Sequence, residues 1–323
     1  MPEVLQTRGA VVESVHPFSV AVAREGEVAV FAGDDRTTTF RSAAKPFQLA
    51  TSLEVLGDPE LPEDELAVGA ASHSAEPIHL AVVGRILARF GLPASGLRCG
   101  AHPPVHEPSA RAVLRAGGEF TDLHNNCSGK HSFMLAASAR AGWDLDYRPP
   151  SHPYQVLARA RLDAWADSAS DVATDGCGVP TFILPLTAVA RAWGRVALAM
   201  RGVEQADPLG ASDARLGRVG WAMARRPDLT SGTGRLDLDV VRAAREPMAV
   251  KIGAMGLFCI ALPRRGAAIA VKVASGSSEA LPAAVAWALE RAAPGAFAEP
   301  DRWALRDVTN VVGLVVGRWA ASG

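Results

Sequence analysis

The sequence predicts an α+β fold: strands from both ends of the chain build one antiparallel sheet, and a helical stretch lies between them. Three observations carry that prediction. Short β-branched runs, punctuated by glycine and aspartate, crowd the first 40 residues. Two apolar runs near the end flank Pro263-Arg264-Arg265-Gly266, a four-residue hairpin loop bounded by proline and glycine. Between these ends, apolar residues recur at the helical period.

Taken in order, residues 10–13, 18–23 and 27–31 read as strands, separated by turn residues such as Glu25-Gly26 and closed by Gly33-Asp34-Asp35. A helix over 77–90 carries Leu80, Val83, Leu87 and Phe90 on one face, with Pro77 in its first turn and Gly91 just past its end. Further helices are expected near 46–56, 108–116, 129–141, 154–169, 185–200, 212–225 and 279–292. Strands at 256–262 and 267–274 flank the late hairpin loop. Arg148-Pro149-Pro150-Ser151 marks a loop, but no repeat or domain linker interrupts the chain. The expectation is a single catalytic unit over 1–323, with sheet from about 7–40 and 250–323 and a helical lobe from about 42–250.

Composition narrows the function. The formal net charge is −1 and basic residues are dispersed, so no field draws the protein to nucleic acid or to an anionic membrane. No basic n-region precedes an apolar run at the start, and no stretch reaches the roughly 18 apolar residues of a membrane span. These features predict a soluble, cytoplasmic protein. Four cysteines (Cys99, Cys127, Cys177, Cys259) are too few for a disulfide framework in a chain this long. In a reducing compartment they fill a core, bind metal or do chemistry; Cys259, inside an apolar strand, and Cys99 read as core.

Arg41-Ser42-Ala43-Ala44-Lys45-Pro46-Phe47-Gln48 is the first stretch with chemical promise. Ser42 suits a helix N-cap, and Pro46 forfeits only an orphan donor in a first turn. The same spacing sets hydroxyl and amine on one helix face, roughly 5–6 Å apart at Cβ, where a neutral lysine could take the serine proton. Such an S-x-x-K also opens the motif set of penicillin-binding proteins and β-lactamases. Ser72-His73-Ser74 supplies a second hydroxyl ahead of the 77–90 helix, and Lys251-Ile252-Gly253 a K-x-G before a strand. No S-D-N stands at a fitting place.

His124-Asn125-Asn126-Cys127-Ser128-Gly129-Lys130-His131 is the densest polar cluster. It is not a phosphate loop, because His124 and His131 replace the required glycine and hydroxyl. Cys127 and His131 share a helix face, while Cys177 lies in the glycine-flanked Asp175-Gly176-Cys177-Gly178. Two thiolates with an imidazole or an amine would suit Zn²⁺. Asn125 and Asn126 suit Asx turns, and a carboxamide there could also hold substrate. Arg41 could pair a substrate carboxylate or stand exposed at the helix start. His73 and His102 read as hydrogen-bonded structural histidines.

RSAAKPFQ, ASHSAEP (71–77), CGAHPP (99–104), HNNCSGKH (124–131), DGCGVPTF (175–182) and VKIGAMG (250–256) together resemble the asparaginase II family of thermolabile, Rhizobium-type L-asparaginases, from about residue 7 to at least 275. The resemblance implies a fold akin to serine β-lactamases and glutaminases, and hydrolysis of L-asparagine to aspartate and ammonia through two Ser–Lys pairs. By position these are Ser42 with Lys45 and Ser74 with Lys251, with Ser42 as nucleophile and Lys45 as its base. It also implies zinc held by Cys127, Lys130 and Cys177, with Asp175 beside it, and a homodimer. Arg41, Asn125, Asn126 and His131 are the candidate substrate contacts.

Where the family usually reads K-T-G-A-E-G, this chain has Lys251-Ile252-Gly253-Ala254-Met255-Gly256, and Ser275-Gly276 replaces an Asp-Gly after Lys272. Two other readings compete. A penicillin-recognising acyltransferase or β-lactamase would be acylated by β-lactams and exported. A non-catalytic homologue would keep zinc and bind a small molecule without turnover, and the Met255 and Ser275 replacements speak for it.

Overall fold

The computed structural model describes residues 1–298, 303 and 305–323. The chain opens with strands β1 (Glu3–Arg8), β2 (Val11–Arg24), β3 (Glu27–Ala32) and β4 (Thr37–Thr39). A 3-10 turn over Arg41–Ala44 leads into helices α1 (Lys45–Leu56), α2 (Glu63–Gly69), α3 (Pro77–Arg89), α4 (Glu107–Arg115), α5 (Ser128–Ala141) and α6 (Pro153–Ala166). Strands β5 (Asp171–Thr174) and β6 (Pro180–Pro185) precede α7 (Leu186–Gln205), α8 (Ala211–Arg225), α9 (Pro227–Thr230) and α10 (Leu236–Arg242). Strands β7 (Ala249–Gly253), β8 (Leu257–Leu262) and β9 (Ala267–Val273), helix α11 (Leu281–Ala292), and strands β10 (Leu305–Thr309) and β11 (Val315–Ser322) complete it.

The α+β architecture is as expected, and each helix read from periodicity is present within a few residues of its expected bounds. The differences are physical. Residues 11–13 and 18–23 belong to one long strand, β2, and Ala10 lies in the turn before it. Pro17 sits where β2 changes partners, from Glu3 of β1 to β9 beginning opposite Phe18, so its missing N–H is tolerated. The short α2, α9 and α10 offer too few turns for a period to register.

The chain divides into two compact units. The sheet unit is Met1–Ala43, Leu184–Leu198 and Val240–Gly323. Its antiparallel sheet runs β10-β11-β1-β2-β9-β8-β7, with β3 also on β2. The two ends of the chain pair directly, Glu3 opposite Ser322. Strand β8 is buried along its whole length, and β9 at all but Lys272, which explains their unbroken apolar runs. Helix α11 covers one face: Trp287 sits edge-on to Phe18, centroids 5.3 Å apart, and its Nε1 donates to Gly323 O at 2.8 Å. Residues 186–198 cover part of the other face, where a Cβ on Gly194 would come within 2.8 Å of the Ala23 Cβ.

The helical unit is Ala44–Ile183 and Ala199–Asp239. Helix α1 packs against α5, α6 and α8. It ends at Gly57, whose left-handed φ of 79° lets its N–H return to Glu54 O and Leu53 O. Glu54 fixes the packing on the outside, accepting from Arg161 of α6 and Arg215 of α8. Helices α5 and α2 approach closely where a Cβ on Gly129 would run into the Val68 carbonyl. That contact explains the glycine at the start of α5.

Candidate active site and metal centre

The turn before α1 decides what Ser42 does. Ser42 lies within the 3-10 turn, while Ala44 is the N-cap and makes no side-chain cap bond. Ser42 is therefore not the cap of α1, and Lys45 is its first residue, followed by Pro46. Arg41, just ahead, is held at φ 46°, in the left-handed region that a β-carbon disfavours. The same strain recurs at Ala75, φ 56°, directly after Ser74, and at Met255, φ 60°, in the Lys251 motif. Arg41, Ser42 and Lys251 belong to the sheet unit; the remaining candidates belong to the helical unit.

Within the helical unit the Lys45 side chain is fully buried. Its Nζ donates to Ala71 O at 2.6 Å and lies 2.8 Å from Ser72 Oγ, with Asn126 O at 3.4 Å. Burial lowers the proton affinity of this amine and Lys130 adds to that effect, while the thiols of Cys127 and Cys177 oppose it. Ser72, not singled out by the sequence, is thus the hydroxyl at the amine. Ser74 Oγ donates to Ser231 O at 3.3 Å instead. Both serines belong to the same short motif, and neither periodicity nor spacing distinguishes them.

Helix α5 and the β5–β6 turn supply the second cluster. Lys130 Nζ lies 3.3 Å from Cys177 Sγ, and the Cys127 and Cys177 thiols hydrogen-bond to each other. The bond from Cys177, with the charges of Lys45 and Lys130, holds the Cys127 thiol well below its ordinary range despite burial. The same bond and burial push Cys177 up. Burial alone would lower Lys130, but the two thiols and Asp175 raise it above the ordinary lysine range. Asp175 closes its own turn, accepting from Gly176 N at 2.7 Å through Oδ1. An open cavity of about 280 Å³ beside this turn is lined by Arg148, Pro149, Thr174 and Gly178.

The donor set fits a soft divalent cation: two buried thiols and an amine converge, and the thiol cluster already favours one anion. Among the described residues, no group of three or more His, Cys, Asp or Glu side chains is arranged as a metal site. A metal here therefore needs the lysine, and its binding must displace the Lys130 proton.

The other candidate contacts are more committed to structure. Asn125 Nδ2 donates to Cys99 O and Gly100 O, and its Oδ1 accepts from Cys127 N at 2.9 Å. That carboxamide builds the loop. Asn126 is half-buried, with Oδ1 facing Cys127 Sγ at 3.3 Å. His131 is fully buried, its Nδ1 3.0 Å from Tyr147 OH, and its Nε2 has no partner. Burial holds it well below its ordinary pKa, as a neutral ring. His73 is a bonded structural histidine, with Nε2 at Ser128 Oγ and Nδ1 accepting from Ala75 N. It stacks on His79 at 5.3 Å.

In the sheet unit, Lys251 is buried on β7, its Nζ 3.3 Å from Ile252 O. Lys272 donates to Met255 O, and Ser275 Oγ lies 2.7 Å from His16 Nδ1. Both replaced positions are therefore tied into the local structure.

A search of curated proteins finds no match in sequence. Among solved structures, the chain is similar to the glutaminase Mglu in its native form in 4.3 M NaCl, at 15% identity and TM-score 0.47. That match covers 91% of this chain and 65% of the Mglu chain, so this chain spans less than two thirds of that length. A class C β-lactamase mutant is similar at 12% identity and TM-score 0.37, over 81% of this chain and 88% of that one. The family model described as L-asparaginase II matches residues 4–321, nearly the whole length over which the Ser42–Lys45, Cys127–Lys130 and Cys177 motifs are spread. The chain belongs to the L-asparaginase II family.

Proposed function

We propose that the protein is an amidohydrolase that releases ammonia from L-asparagine, with Ser42 as nucleophile and Lys45 as its base. The observation that carries this reading is the Lys45 amine. It is buried, lowered in proton affinity and anchored by Ala71 O, and it opens α1 three residues after a serine that caps nothing. Membership of the family supports the substrate class.

In the reaction we propose, Ser42 Oγ attacks the side-chain amide carbon while Lys45 takes the hydroxyl proton. The tetrahedral intermediate collapses, the proton passes to the departing nitrogen, and ammonia leaves an acyl-serine. Water then adds, its proton taken by the amine, and aspartate is freed. Neutral Lys45 can donate to Ala71 O and Asn126 O and still keep its lone pair for a hydroxyl, with Ser72 as a relay beside it. Lys251 and Ser74 form the second pair in this reading, and Arg41 and Asn126 face the ends of the substrate. Cys127, Cys177 and Lys130 would hold Zn²⁺, which would supply a fixed positive charge for placing the substrate. The four free thiols support a cytoplasmic location. No described helix is long and apolar enough to cross a membrane.

The test is ammonia release from L-asparagine, with L-glutamine alongside, by zinc-loaded wild type and the Ser42→Ala protein. Release that falls at least about 10³-fold in the variant supports nucleophile and activity together. Full activity in Ser42→Ala removes Ser42 from the mechanism. No release by wild type leaves the non-catalytic reading, favoured by Met255 and Ser275.

A further inference from the structure

The sheet unit holds a histidine between two hydroxyls. Gln6 of β1 stands directly opposite Ser14 of β2, and His16 follows on the same face two residues along. Ser14 Oγ donates to Gln6 Oε1 at 3.0 Å and lies 2.9 Å from His16 Nε2. His16 Nδ1 in turn lies 2.7 Å from Ser275 Oγ, just past the end of β9. All four residues belong to the sheet unit. The bonds place the protons. The one hydroxyl proton of Ser14 is on the Gln6 carbonyl, so Ser14 accepts from Nε2–H. A neutral ring with its proton on Nε2 keeps a lone pair on Nδ1, and the Ser275 hydroxyl is the donor in the 2.7 Å bond. A carboxylate at position 275 could only accept from this ring; a hydroxyl gives it a proton.

The turn after β9 presents that hydroxyl to solvent. Ala274 N donates to Pro17 O at 2.8 Å and Gly276 N to Val273 O at 3.1 Å, which fixes the backbone on both sides of Ser275. Gly276 takes a left-handed φ of 77° and passes so close to Met255 that a Cβ would lie 2.9 Å from its Cε. Ser275 is exposed, while His16 is half-buried against Trp319, ring centroids 5.4 Å apart. Ser277 N donates to Ser275 Oγ at 3.3 Å, and such an N–H favours negative charge on the oxygen. A base on the serine proton, and a second group that fixes the tautomer of the base, are the two relations that activate a serine.

We infer that Ser275 is a second nucleophilic serine, with His16 as its base and Ser14 as a positioning residue, and that it takes the acyl group of small activated esters. Ser275 Oγ attacks the ester carbonyl carbon as its proton moves to His16 Nδ1. The bond from that carbon to the alcohol oxygen then breaks, and the alcohol leaves with the proton from Nδ1. Water, giving its own proton to Nδ1, cleaves the acyl-serine. A fluorophosphonate stops at the first half: the Oγ–P bond forms, the P–F bond breaks, fluoride leaves with the electron pair and the proton passes to solvent. This chemistry draws on neither Ser42 nor Lys45 and stands apart from ammonia release.

Labelling of the Ser42→Ala protein by a fluorophosphonate tests the inference, with the labelled residue located by fragment mass spectrometry and the fold of each variant checked by circular dichroism. The expected result is an adduct on Ser275. Adding His16→Gln should slow its formation by at least about a hundredfold, the low end of what a general base contributes. Ser14→Ala should slow it by at least about tenfold, and Ser14→Thr, which keeps the hydroxyl, should restore the rate. No adduct on Ser275, or a rate that His16→Gln leaves unchanged, overturns the inference. Where His16→Gln does not fold, the Ser42→Ala protein unfolded in urea decides: equal labelling of Ser275 in the folded and unfolded chains overturns it as well. Wild-type labelling confined to Ser42 does the same while leaving the amidohydrolase reading intact.

Discussion

The two units bury different things. In the sheet unit, β8 and β9 pack alanine, valine, isoleucine and leucine almost without a polar side chain between them. In the helical unit, Lys45, Ser72, His73, Asn125, Lys130 and His131 are all buried. Two cysteines show what that difference does. Cys259, on β8, is pushed well above the ordinary thiol range by burial. Cys127 is also buried, yet its partners hold it well below that range. Burial alone silences a thiol; burial among donors and cations makes it an anion. Buried polar side chains are few in the sheet unit, Lys251 among them, and cluster in the helical unit.

Four experiments would break or sharpen this contrast. Gly129→Ala should have the largest effect, because the new Cβ meets the Val68 carbonyl and not a flexible side chain. A loss of about 3 kcal/mol or more is expected in chemical denaturation; a variant as stable as wild type would mean that α5 and α2 are loosely packed. Cys127→Ser should lower zinc affinity by more than about a hundredfold, beyond the loss typical of a residue that only supports a ligand. Metal analysis after dialysis reads it, and unchanged stoichiometry would remove Cys127 from the site.

The third experiment is a pH series. Burial holds His73 and His79 below the ordinary histidine value of 6.5. Below that value the unfolded chain takes up protons that the folded chain refuses. Stability should therefore fall as pH drops through 6.5, by about 1.4 kcal/mol per pH unit for each histidine. Denaturation midpoints between pH 7 and 5 check this, and His79→Gln should flatten the slope. The smallest effect is expected from Cys259→Ala, about 1 kcal/mol for the lost sulfur in a tight strand. Its zinc content should be unchanged, and a drop would contradict the separation of the two kinds of thiol.

Much of this was legible in the sequence. Long helices such as α3 announce themselves through period and proline placement, and the β8–β9 hairpin through its loop. Less could be read where the signal is short or non-local. Strand β11 depends on β1, some 300 residues away in the chain, as the Glu3–Ser322 register demonstrates, and β10 in turn pairs with β11. Motif order pointed to Ser42, Lys45 and the thiols, but only three-dimensional placement puts Ser72 against Lys45 and turns the Asn125 carboxamide inward. Two serines in Ser72-His73-Ser74 look alike in one dimension, and which of them meets an amine depends on how the loop is held from Asn126 and Thr230.

Arg41, Ala75 and Met255 carry left-handed backbone beside three separate motifs, each at a cost of about 1–2 kcal/mol that glycine would relieve. Selection for thermal stability alone would drift these positions toward glycine. If the proposed reaction is right, a residue other than glycine at these three positions trades robustness for a fixed local geometry beside the motifs. An engineer who wants a hardier version of this protein should leave those three codons alone and look for gains elsewhere, in the hairpin tips and the outer helices.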